Sequence, residues 1–299
     1  MPFFAMRNLY FLVLLTASFG LKAQNGVVVF QSDFGLKDGA VSAMKGVSLG
    51  VSTDLRLVDL THEILPYNIW EAAYRLYQTA PYYPSGTVFV SVCDPGVGTE
   101  RKSVVLLTKS GHYFVTPDNG TLTLVAEELG IQKVRQIDEV TNRLKHSNES
   151  YTFHGRDVYA YTAARLAAHK ITFEQVGPTL PADVVRIPYQ KAEFSNGMVK
   201  GNIPVLDPQY GNVWSNIPRR VFQQLNPGAT IRVQVFNHAK KVYDKRVRMV
   251  KTFGEVKPGT DMAYFNSLLN VSLAINQGDF AKTYKVSSGA DWQLWISNN

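Results

Sequence analysis

The chain has 299 residues, of which 45% are hydrophobic, 18% charged and 12% aromatic, a composition that excludes a disordered protein and allows two ordinary domains. The formal net charge is +7 and the Lys and Arg residues are scattered, so the basic stripe or motif of a nucleic-acid-binding protein is absent from the sequence. The single cysteine, Cys93, excludes an internal disulfide and a cysteine-rich metal site, and its apolar surroundings indicate a buried structural thiol.

The first 23 residues have the pattern of a secretory signal peptide. Arg7 supplies a positive start, residues 9–19 are almost uniformly apolar, and Ala23 is a small residue at the expected cleavage point. The run is too short for a good membrane span, although an uncleaved anchor is the alternative. We therefore expect an extracytoplasmic protein, periplasmic or secreted, with no membrane segment after cleavage.

The first half of the chain alternates between β-rich and helical patterns. Strands are predicted at residues 27–31, 55–60, 87–92, 103–107 and 112–116, and helices at residues 40–49, 69–78, 122–129 and from about 156 to 168. Such alternation is typical of βαβ units. It predicts an N-terminal α/β domain, residues 24–183, with a mostly parallel sheet.

After about residue 180 the pattern changes to short alternating strands. These are predicted at residues 198–207, 230–236, 242–250, 267–274 and 281–286. Turn dipeptides such as Asn196-Gly197 and Pro258-Gly259 separate several of them. We expect a smaller C-terminal antiparallel β-barrel or sandwich over residues 190–299.

Carboxylates follow three of the predicted strands at equivalent positions. Asp33 follows the first strand, Asp94 the third, and Asp118 with Asn119 a later one. Ligands of open α/β sheets bind beyond the carboxyl ends of the strands. Any one of these residues can instead be a turn former, but three together favour a polar site.

The loop after the third predicted strand combines a carboxylate with an arginine. Gly96 and Gly98 allow the backbone to fold back, so that Asp94 and Arg101 approach each other. A neighbouring guanidinium would favour the ionised carboxylate and could orient an attacking oxygen. The alternative is a surface ion pair worth less than about 1 kcal/mol.

A second polar segment, Thr152 to Asp157, precedes a predicted helix. His154 would lie near the helix N-terminus, which suits a neutral base, although a capping or structural histidine is the alternative. Asp157 is interpreted as a carboxylate of the first helical turn. Asp59 and His62 form only a weak metal signal, and no metal site is expected.

Taken in order, these segments resemble the S-adenosyl-L-methionine hydroxide adenosyltransferases, which are relatives of the fluorinating and chlorinating enzymes. The motifs that carry the resemblance are Ser32-Asp33-Phe34-Gly35, Asp94 to Thr99 with Arg101, Pro117-Asp118-Asn119-Gly120, Thr152 to Asp157, Asp207 to Asn212 with Trp214, and Asn266-Ser267. Each motif is short, but the ordered set is specific and extends over residues 27–281.

The resemblance implies hydrolysis of S-adenosyl-L-methionine to adenosine and L-methionine by attack of water or hydroxide on the ribose C5′. The sulfonium departs as a neutral thioether, so neither a cofactor nor a metal is expected. Asp94, Arg101 and His154 resemble the family's water-activating residues. In this assignment Asp94 and His154 accept and relay the proton while Arg101 holds the nascent hydroxide.

The same resemblance implies a set of substrate-binding residues. Asp33 would bind the ribose hydroxyls, Asn212 the adenine edge, Asp207 the methionine ammonium and Ser267 the methionine carboxylate. Thr152 is a further candidate, and the aromatic candidates for the pocket walls are Tyr67, Phe153, Trp214 and Phe253. The family implies a homotrimer in which the pocket lies between the N-terminal domain of one subunit and the C-terminal domain of the next.

Two other functions stay open at this point. Halide-dependent adenosyl transfer is disfavoured, because the halogenating relatives have Tyr-Pro in place of Asp94-Pro95 and another residue in place of His154. A non-catalytic extracytoplasmic protein that binds adenosine or another nucleoside is the alternative from a different class. Leu268 and Leu269 follow Ser267 where the hydrolases commonly have an aromatic-glycine pair, which is a departure at the methionine end of the pocket.

Overall fold

The computed structural model describes residues 24–298, so the predicted signal peptide, residues 1–23, lies outside the described part of the chain. Within it, the strands of the N-terminal half, β1 to β7, are Val27–Ser32, Arg56–Thr61, Val88–Val92, Ser103–Thr108, Tyr113–Pro117, Ile131–Gln136 and Thr179–Leu180. The helices α1 to α4 are Ala40–Val51, Ile69–Thr79, Thr123–Glu128 and Tyr161–Ala167, and a π-helical turn, Gly155–Ala160, leads into α4.

The first seven strands form one mixed sheet in the order β2-β1-β3-β5-β4-β6-β7. The neighbours β2, β1, β3 and β5 are parallel, whereas β4, β6 and β7 join by antiparallel pairing. The predicted α/β class is therefore confirmed, with a parallel half that carries the three strand-end loops and an antiparallel half that the sequence pattern did not reveal.

The alternation of side chains along β1 shows how the sheet is covered on both faces. Val28 and Phe30 belong to a core with α1 and α4, whereas Val27 and Val29 belong to a core with α2 and α3. All residues of β1 are buried, as expected for a strand between two helical layers. The layers are thus helix, sheet and helix.

The C-terminal half begins after the connecting segment 181–192. Its strands, β8 to β16, are Glu193–Ser195, Met198–Ile203, Val205–Asp207, Asn212–Pro218, Thr230–Asn237, Lys240–Met249, Asp261–Phe265, Asn270–Ile275 and Gly289–Ser297, and its helices are α5, Arg219–Phe222, and α6, Phe280–Tyr284. They form one sheet in the order β10-β11-β15-β14-β13-β12-β16-β9-β8. The pairs are antiparallel except for β13 with β14.

This second sheet curls around one main apolar core, with a smaller cluster around Met262, and does not close into a barrel. Its two ends approach each other, since the Asn202 amide donates to the Asn216 side chain at 2.8 Å. Gly201 allows the approach, because a Cβ there would lie 2.4 Å from Ile217 Cγ1. The separate C-terminal β-domain is confirmed, and its shape is that of a curled open sheet.

The strand predicted at residues 281–286 is wrong, because this segment begins with α6. The Asp279 side chain accepts the Lys282 amide at 2.7 Å and so caps the helix N-terminus. Phe280, Ala281 and Tyr284 pack on the core with helical spacing. The strand predicted at 198–207 is interrupted at Pro204, which has no N–H for a strand ladder.

The two halves pack against each other through an aromatic cluster. Trp70 and Tyr74 of α2 contact the C-terminal half near Val205 and Trp214, together with Leu268 of the β14–β15 turn. No helix among residues 24–298 has the length and apolar character needed to cross a membrane.

Candidate active site

Three parallel strands place their loops at one edge of the first sheet. Ser32 at the end of β1 is level with Val92 at the end of β3, and the Asp33 amide donates to the Val92 carbonyl at 3.3 Å. The Asn119 side chain beyond β5 donates to the Cys93 carbonyl at 2.9 Å. The carboxyl ends of β1, β3 and β5 therefore meet, and the start of the π-helical turn packs against them.

A cavity of about 370 Å³ opens at this edge. Its walls are Asp33, Phe34, Pro66, Tyr67, Val92, Asp94, Val97, Thr152, Phe153, His154 and Gly155. Gly155 permits the close approach of the wall, since a Cβ there would lie within about 3.3 Å of Val92, Met44 and Phe34. The structure thus brings together six of the residues selected from the sequence, Asp33, Tyr67, Asp94, Thr152, Phe153 and His154.

Asp94 and Arg101 form a buried, bidentate ion pair. Arg101 Nε lies 3.0 Å from both Asp94 oxygens, and Arg101 Nη2 lies 2.6 Å from Asp94 Oδ2. The side chains are only 5% (Asp94) and 10% (Arg101) exposed, so the pair differs from a screened surface contact. Asp94 faces the cavity and Arg101 lies behind it, outside the lining.

His154 lines the same cavity and immediately precedes the π-helical turn. It is 5% exposed, and its Nε2 lies 3.2 Å from Glu139 Oε2. Its Nδ1 is buried and has no hydrogen-bond partner among the described residues. One ring nitrogen of a residue that lines the cavity is therefore left without a partner among the described residues.

Glu139 connects the two walls and is a residue that the sequence analysis missed. Its Oε1 accepts a hydrogen bond from Ser103 Oγ at 2.7 Å, and Ser103 Oγ in turn accepts one from Arg101 Nη1 at 3.0 Å. Asp94 and His154 are thus linked through a continuous chain of buried or half-buried polar groups. Glu139 lies beyond β6 in a segment without a recognisable motif, so the pattern gave no signal for it.

The hydrogen bond from His154, with smaller contributions from Ser103 and Arg143, outweighs burial and lowers the pKa of Glu139 from 4.5 to about 2. A group with a depressed pKa in the folded state stabilises the fold fully above its unfolded pKa, and that contribution is lost as the pH falls through the folded value. We therefore expect the difference in unfolding free energy between the wild type and Glu139→Gln to be constant above about pH 5 and to shrink toward pH 2. Urea unfolding over a pH series measures this difference; a difference independent of pH would contradict the prediction.

Asp33 is held at the mouth of the cavity by the backbone of the next loop. Its Oδ2 accepts the Tyr67 amide at 2.9 Å, and Cys93 Sγ lies 3.6 Å from the same oxygen. Tyr67 has a φ of 66° and is 72% exposed, so its ring stands at the open rim. The Asp33 Oδ1 has no partner among the hydrogen bonds of the described residues and is available to a ligand.

Other polar residues singled out in the sequence have structural positions. Cys93 is buried, as predicted, and burial is the main cause that raises the pKa of its thiol. Asp118 accepts the Val185 amide at 2.9 Å and so fixes the connecting segment. Asp157 is buried and pairs with Arg156 at 2.6 Å in the first turn of the helix.

The weak metal signal at Asp59 and His62 corresponds to a hydrogen-bonded group. The His62 ring lies between Ser32 and Asp59. Residues 24–298 contain no cluster of three or more His, Cys, Asp and Glu residues suited to a metal ion.

The C-terminal candidates do not reach this cavity in the same chain. Asn212 and Phe253 line a separate cavity of about 510 Å³, whose other walls include Tyr210 and Asp279. Asp207 lies next to it and accepts from Asn212 Nδ2 at 3.3 Å. Trp214 packs in the aromatic cluster between the two halves and lines neither cavity.

Ser267 stands exposed at the tip of the β14–β15 turn. Asn266 organises this turn by accepting the amides of Leu268 and Asn270 at 3.0 and 3.1 Å. Leu269 adopts a φ of 59°, the left-handed conformation that glycine adopts without strain. The departure from an aromatic-glycine pair therefore leaves a strained leucine at this position.

The two halves of the chain match the two domain models of one protein family. The SAM hydroxide adenosyltransferase N-terminal domain model matches residues 28–177, and the corresponding C-terminal domain model matches residues 201–293. The chain belongs to the SAM hydroxide adenosyltransferase family. The resemblance identified from the short motifs is thereby confirmed over both halves of the protein.

Relatives within the family carry two kinds of name. A protein of Salinispora tropica named (R)-S-adenosyl-L-methionine hydrolase is 33% identical over 264 residues, 88% of this chain and 95% of the relative. One of the same name from Methanocaldococcus jannaschii is 48% identical over 144 residues, which are 47% of this chain and only about half, 52%, of that relative. A fluorinase of an Actinoplanes species is 28% identical over 290 residues, covering 89% of this chain and 96% of the relative.

Solved structures share the fold over most of the chain. A conserved protein of Thermotoga maritima has a TM-score of 0.82 and 34% identity, with 90% of this chain and 99% of that chain covered. A second structure, from Thermus thermophilus, has a TM-score of 0.70 and 29% identity, with 90% of this chain and 98% of that chain covered.

Proposed function

We propose that this family member hydrolyses S-adenosyl-L-methionine to adenosine and L-methionine. The observation that carries the proposal is the pairing of two proton acceptors across one cavity. Asp94 and His154 both line the cavity, and Nδ1 of His154 has no hydrogen-bond partner among the described residues. A water molecule between them meets a base on either side, which is what oxygen attack on carbon requires.

The reaction needs no acid for the leaving group. The water oxygen forms a bond to the ribose C5′ as the C5′–S bond breaks, and the sulfur keeps the electron pair and leaves as the neutral thioether of methionine. The water proton passes to Asp94 or His154. Both Nε and Nη2 of Arg101 donate to Asp94, so Arg101 acts on the water through the carboxylate that it orients.

The substrate is held from two sides in this proposal. Asp33 Oδ1 accepts the ribose hydroxyls, and the edge-to-face pair of Phe34 and Phe153, with ring centroids 5.7 Å apart, contacts the nucleoside. Tyr67 and Thr152 lie at the rim. Asp207, Asn212 and Phe253, at the second cavity, complete the binding set from the C-terminal half of a neighbouring subunit. Trp214 and Ser267 line neither cavity and belong to this set only by the family resemblance.

The separation of the two cavities supports an active site that is shared between subunits, and the family resemblance implies that the assembly is a homotrimer. Asn212 and Phe253 line a cavity that has no residue in common with the one around Asp94. A substrate that contacts both sets must therefore bridge two chains. With residues 1–23 as a cleaved signal peptide, the trimer works outside the cytoplasm, in the periplasm or as a secreted enzyme.

Halide transfer and simple nucleoside binding are the alternative functions. Fluorinases are among the relatives, but here a carboxylate, Asp94, faces the cavity, and a carboxylate accepts a proton from water while it repels a halide ion. A binding protein has no need of two bases that face each other across the ligand. Hydrolysis therefore accounts for the geometry better than either alternative.

A product assay tests the proposal. The mature protein is incubated with each sulfonium epimer of S-adenosyl-L-methionine, with and without chloride or fluoride, and products are separated by chromatography. We expect adenosine in amounts independent of halide, and none above background with Asp94→Ala or His154→Ala. Halogenated nucleoside would indicate halide transfer, and tight binding without any product would indicate a binding protein.

A further inference from the structure

We infer that Glu139 is a positioning residue that fixes which nitrogen of His154 faces the substrate and couples the two walls of the active site. The inference rests on the proposed hydrolysis for its kinetic consequences, whereas its structural content stands apart from the reaction. It concerns a residue outside the motif set, since Glu139 does not line the cavity and, although it lies in the same loop as His154, it stands well before the Thr152–Asp157 motif.

The contacts of His154 Nε2 favour one tautomer. Nε2 lies 3.2 Å from Glu139 Oε2 and 3.4 Å from Arg143 Nη2. Because an ionised carboxylate only accepts hydrogen bonds and is the nearer of the two groups, we place the proton on Nε2. Neutral imidazole carries one proton, which leaves Nδ1 as a lone-pair acceptor. Nδ1 is buried and has no hydrogen-bond partner among the described residues, and His154 lines the cavity, so Nδ1 is the nitrogen left to act as the base.

Arg143 is compatible with this arrangement. Its Nη2 lies 3.4 Å from His154 Nε2 and 3.5 Å from Glu139 Oε2. Two N–H donors cannot bond to each other, so with the proton on Nε2 the guanidinium donates to Glu139. The remaining groups around the imidazole are the Tyr151 ring, with its centroid 6.4 Å away and the Arg143 guanidinium stacked on it, and Asp94 across the cavity.

The second oxygen of Glu139 extends the effect to the other wall. Ser103 donates to Glu139 Oε1 and accepts from Arg101 Nη1, while Tyr159 OH lies 3.2 Å from the same serine oxygen. Of the three Arg101 nitrogens, Nη1 is therefore oriented by Glu139 through Ser103, and Nε and Nη2 are oriented by Asp94. One carboxylate thus aligns His154 directly and Asp94 through two intermediates.

The variant Glu139→Gln separates this role from simple packing. Glutamine has the same shape, and its carbonyl can still accept from Ser103, which directs its NH₂ group at His154 Nε2. That donor favours the proton on Nδ1, the wrong nitrogen for catalysis. We expect kcat for adenosine formation to fall by about 10²–10⁴-fold with KM changed less than about threefold. Glu139→Asp, which keeps the charge on a shorter arm, should recover part of the loss.

A matched control is available in the same region of the chain. Glu149 is exposed, and Glu149→Gln removes the same charge without touching the network, so it should retain wild-type kinetics. A folded Glu139→Gln protein with kcat within about threefold of the wild type would overturn the inference. A large rise in KM with unchanged kcat would also overturn it, because it would mean that Glu139 serves substrate binding.

Nitrogen NMR of histidine-labelled protein at pH 8 tests the tautomer without any substrate. Signals of His154 are assigned from their absence in His154→Gln. We expect the Nε2–H form in the wild type and in Glu149→Gln, and a shift toward Nδ1–H in Glu139→Gln. An Nδ1–H wild type would overturn the inference even if adenosine is formed, whereas the expected spectra without adenosine would sustain it and count against the proposed hydrolysis.

Discussion

Replacing Asp94 by asparagine should reduce kcat for adenosine formation by about three orders of magnitude while the protein stays folded. Asparagine keeps the shape of the side chain but is not a base, so the attacking water loses the acceptor on the β3 side of the cavity. His154 alone would then remain to take the proton. Steady-state kinetics with S-adenosyl-L-methionine measure the effect, and binding of adenosine by calorimetry should change little, because the ribose contact belongs to Asp33.

The control for this variant must separate chemistry from stability. Asp94 is the buried partner of Arg101, and asparagine leaves that guanidinium without its counter-charge, so a lower thermal midpoint is expected. Glu100→Gln is matched to it, since Glu100 is an exposed carboxylate of the same loop and should leave kcat unchanged. An Asp94→Asn protein that is folded at the assay temperature and retains more than about a tenth of the activity would exclude Asp94 as the main base.

Much of the N-terminal half could be predicted because its signals are local. Strongly apolar strands such as Val88–Val92 can be recognised from their own few residues. Neighbouring parallel strands have their carboxyl ends at the same edge of a sheet. That rule predicts Asp33 and Asp94 at the same edge of the sheet, where both line one cavity. The position of His154 at the start of a helix was equally readable from the polar segment that precedes an apolar pattern.

What could not be predicted depends on contacts distant in sequence. Glu139 is 36 residues from Ser103 and meets it only because β4 and β6 are paired in the antiparallel half of the sheet. No periodicity encodes that pairing. Likewise, the sequence suggested that Arg101 would hold the hydroxide, and only the geometry reveals that Asp94 engages two of its nitrogens.

The C-terminal half was harder because its strands are short and half-polar. Residues 281–286 alternate like a strand, yet the capping side chain of Asp279 and the packing of Phe280 make the segment begin as a helix. Conversely, Asn212–Pro218 buries Val213 and Ile217 in alternation, but its polar residues and terminal proline obscure the pattern. Short elements of this kind are decided by packing on the core, which local propensity does not report.

Mixing two inactive variants should restore activity if active sites are shared between subunits. Asn212→Leu removes the proposed adenine contact and leaves Asp207 without its 3.3 Å partner, whereas Asp94→Asn removes the base in the other half. Each protein alone should be nearly inactive. In randomly mixed trimers, about a quarter of the interfaces combine an intact N-terminal half from one chain with an intact C-terminal half from the next. Activity of the co-refolded mixture should therefore approach about a quarter of the wild-type value.

The control for the mixing experiment uses two variants of the same half. Asp94→Asn mixed with His154→Asn should stay inactive, because every shared site then contains one defective N-terminal half. Sedimentation of each mixture verifies that trimers form. If the first mixture is also inactive although mixed trimers are present, the sites do not bridge chains, and Asn212 is required within its own chain. If the first mixture regains activity and the second does not, the two cavities of one chain belong to two different active sites, each shared with a neighbouring chain.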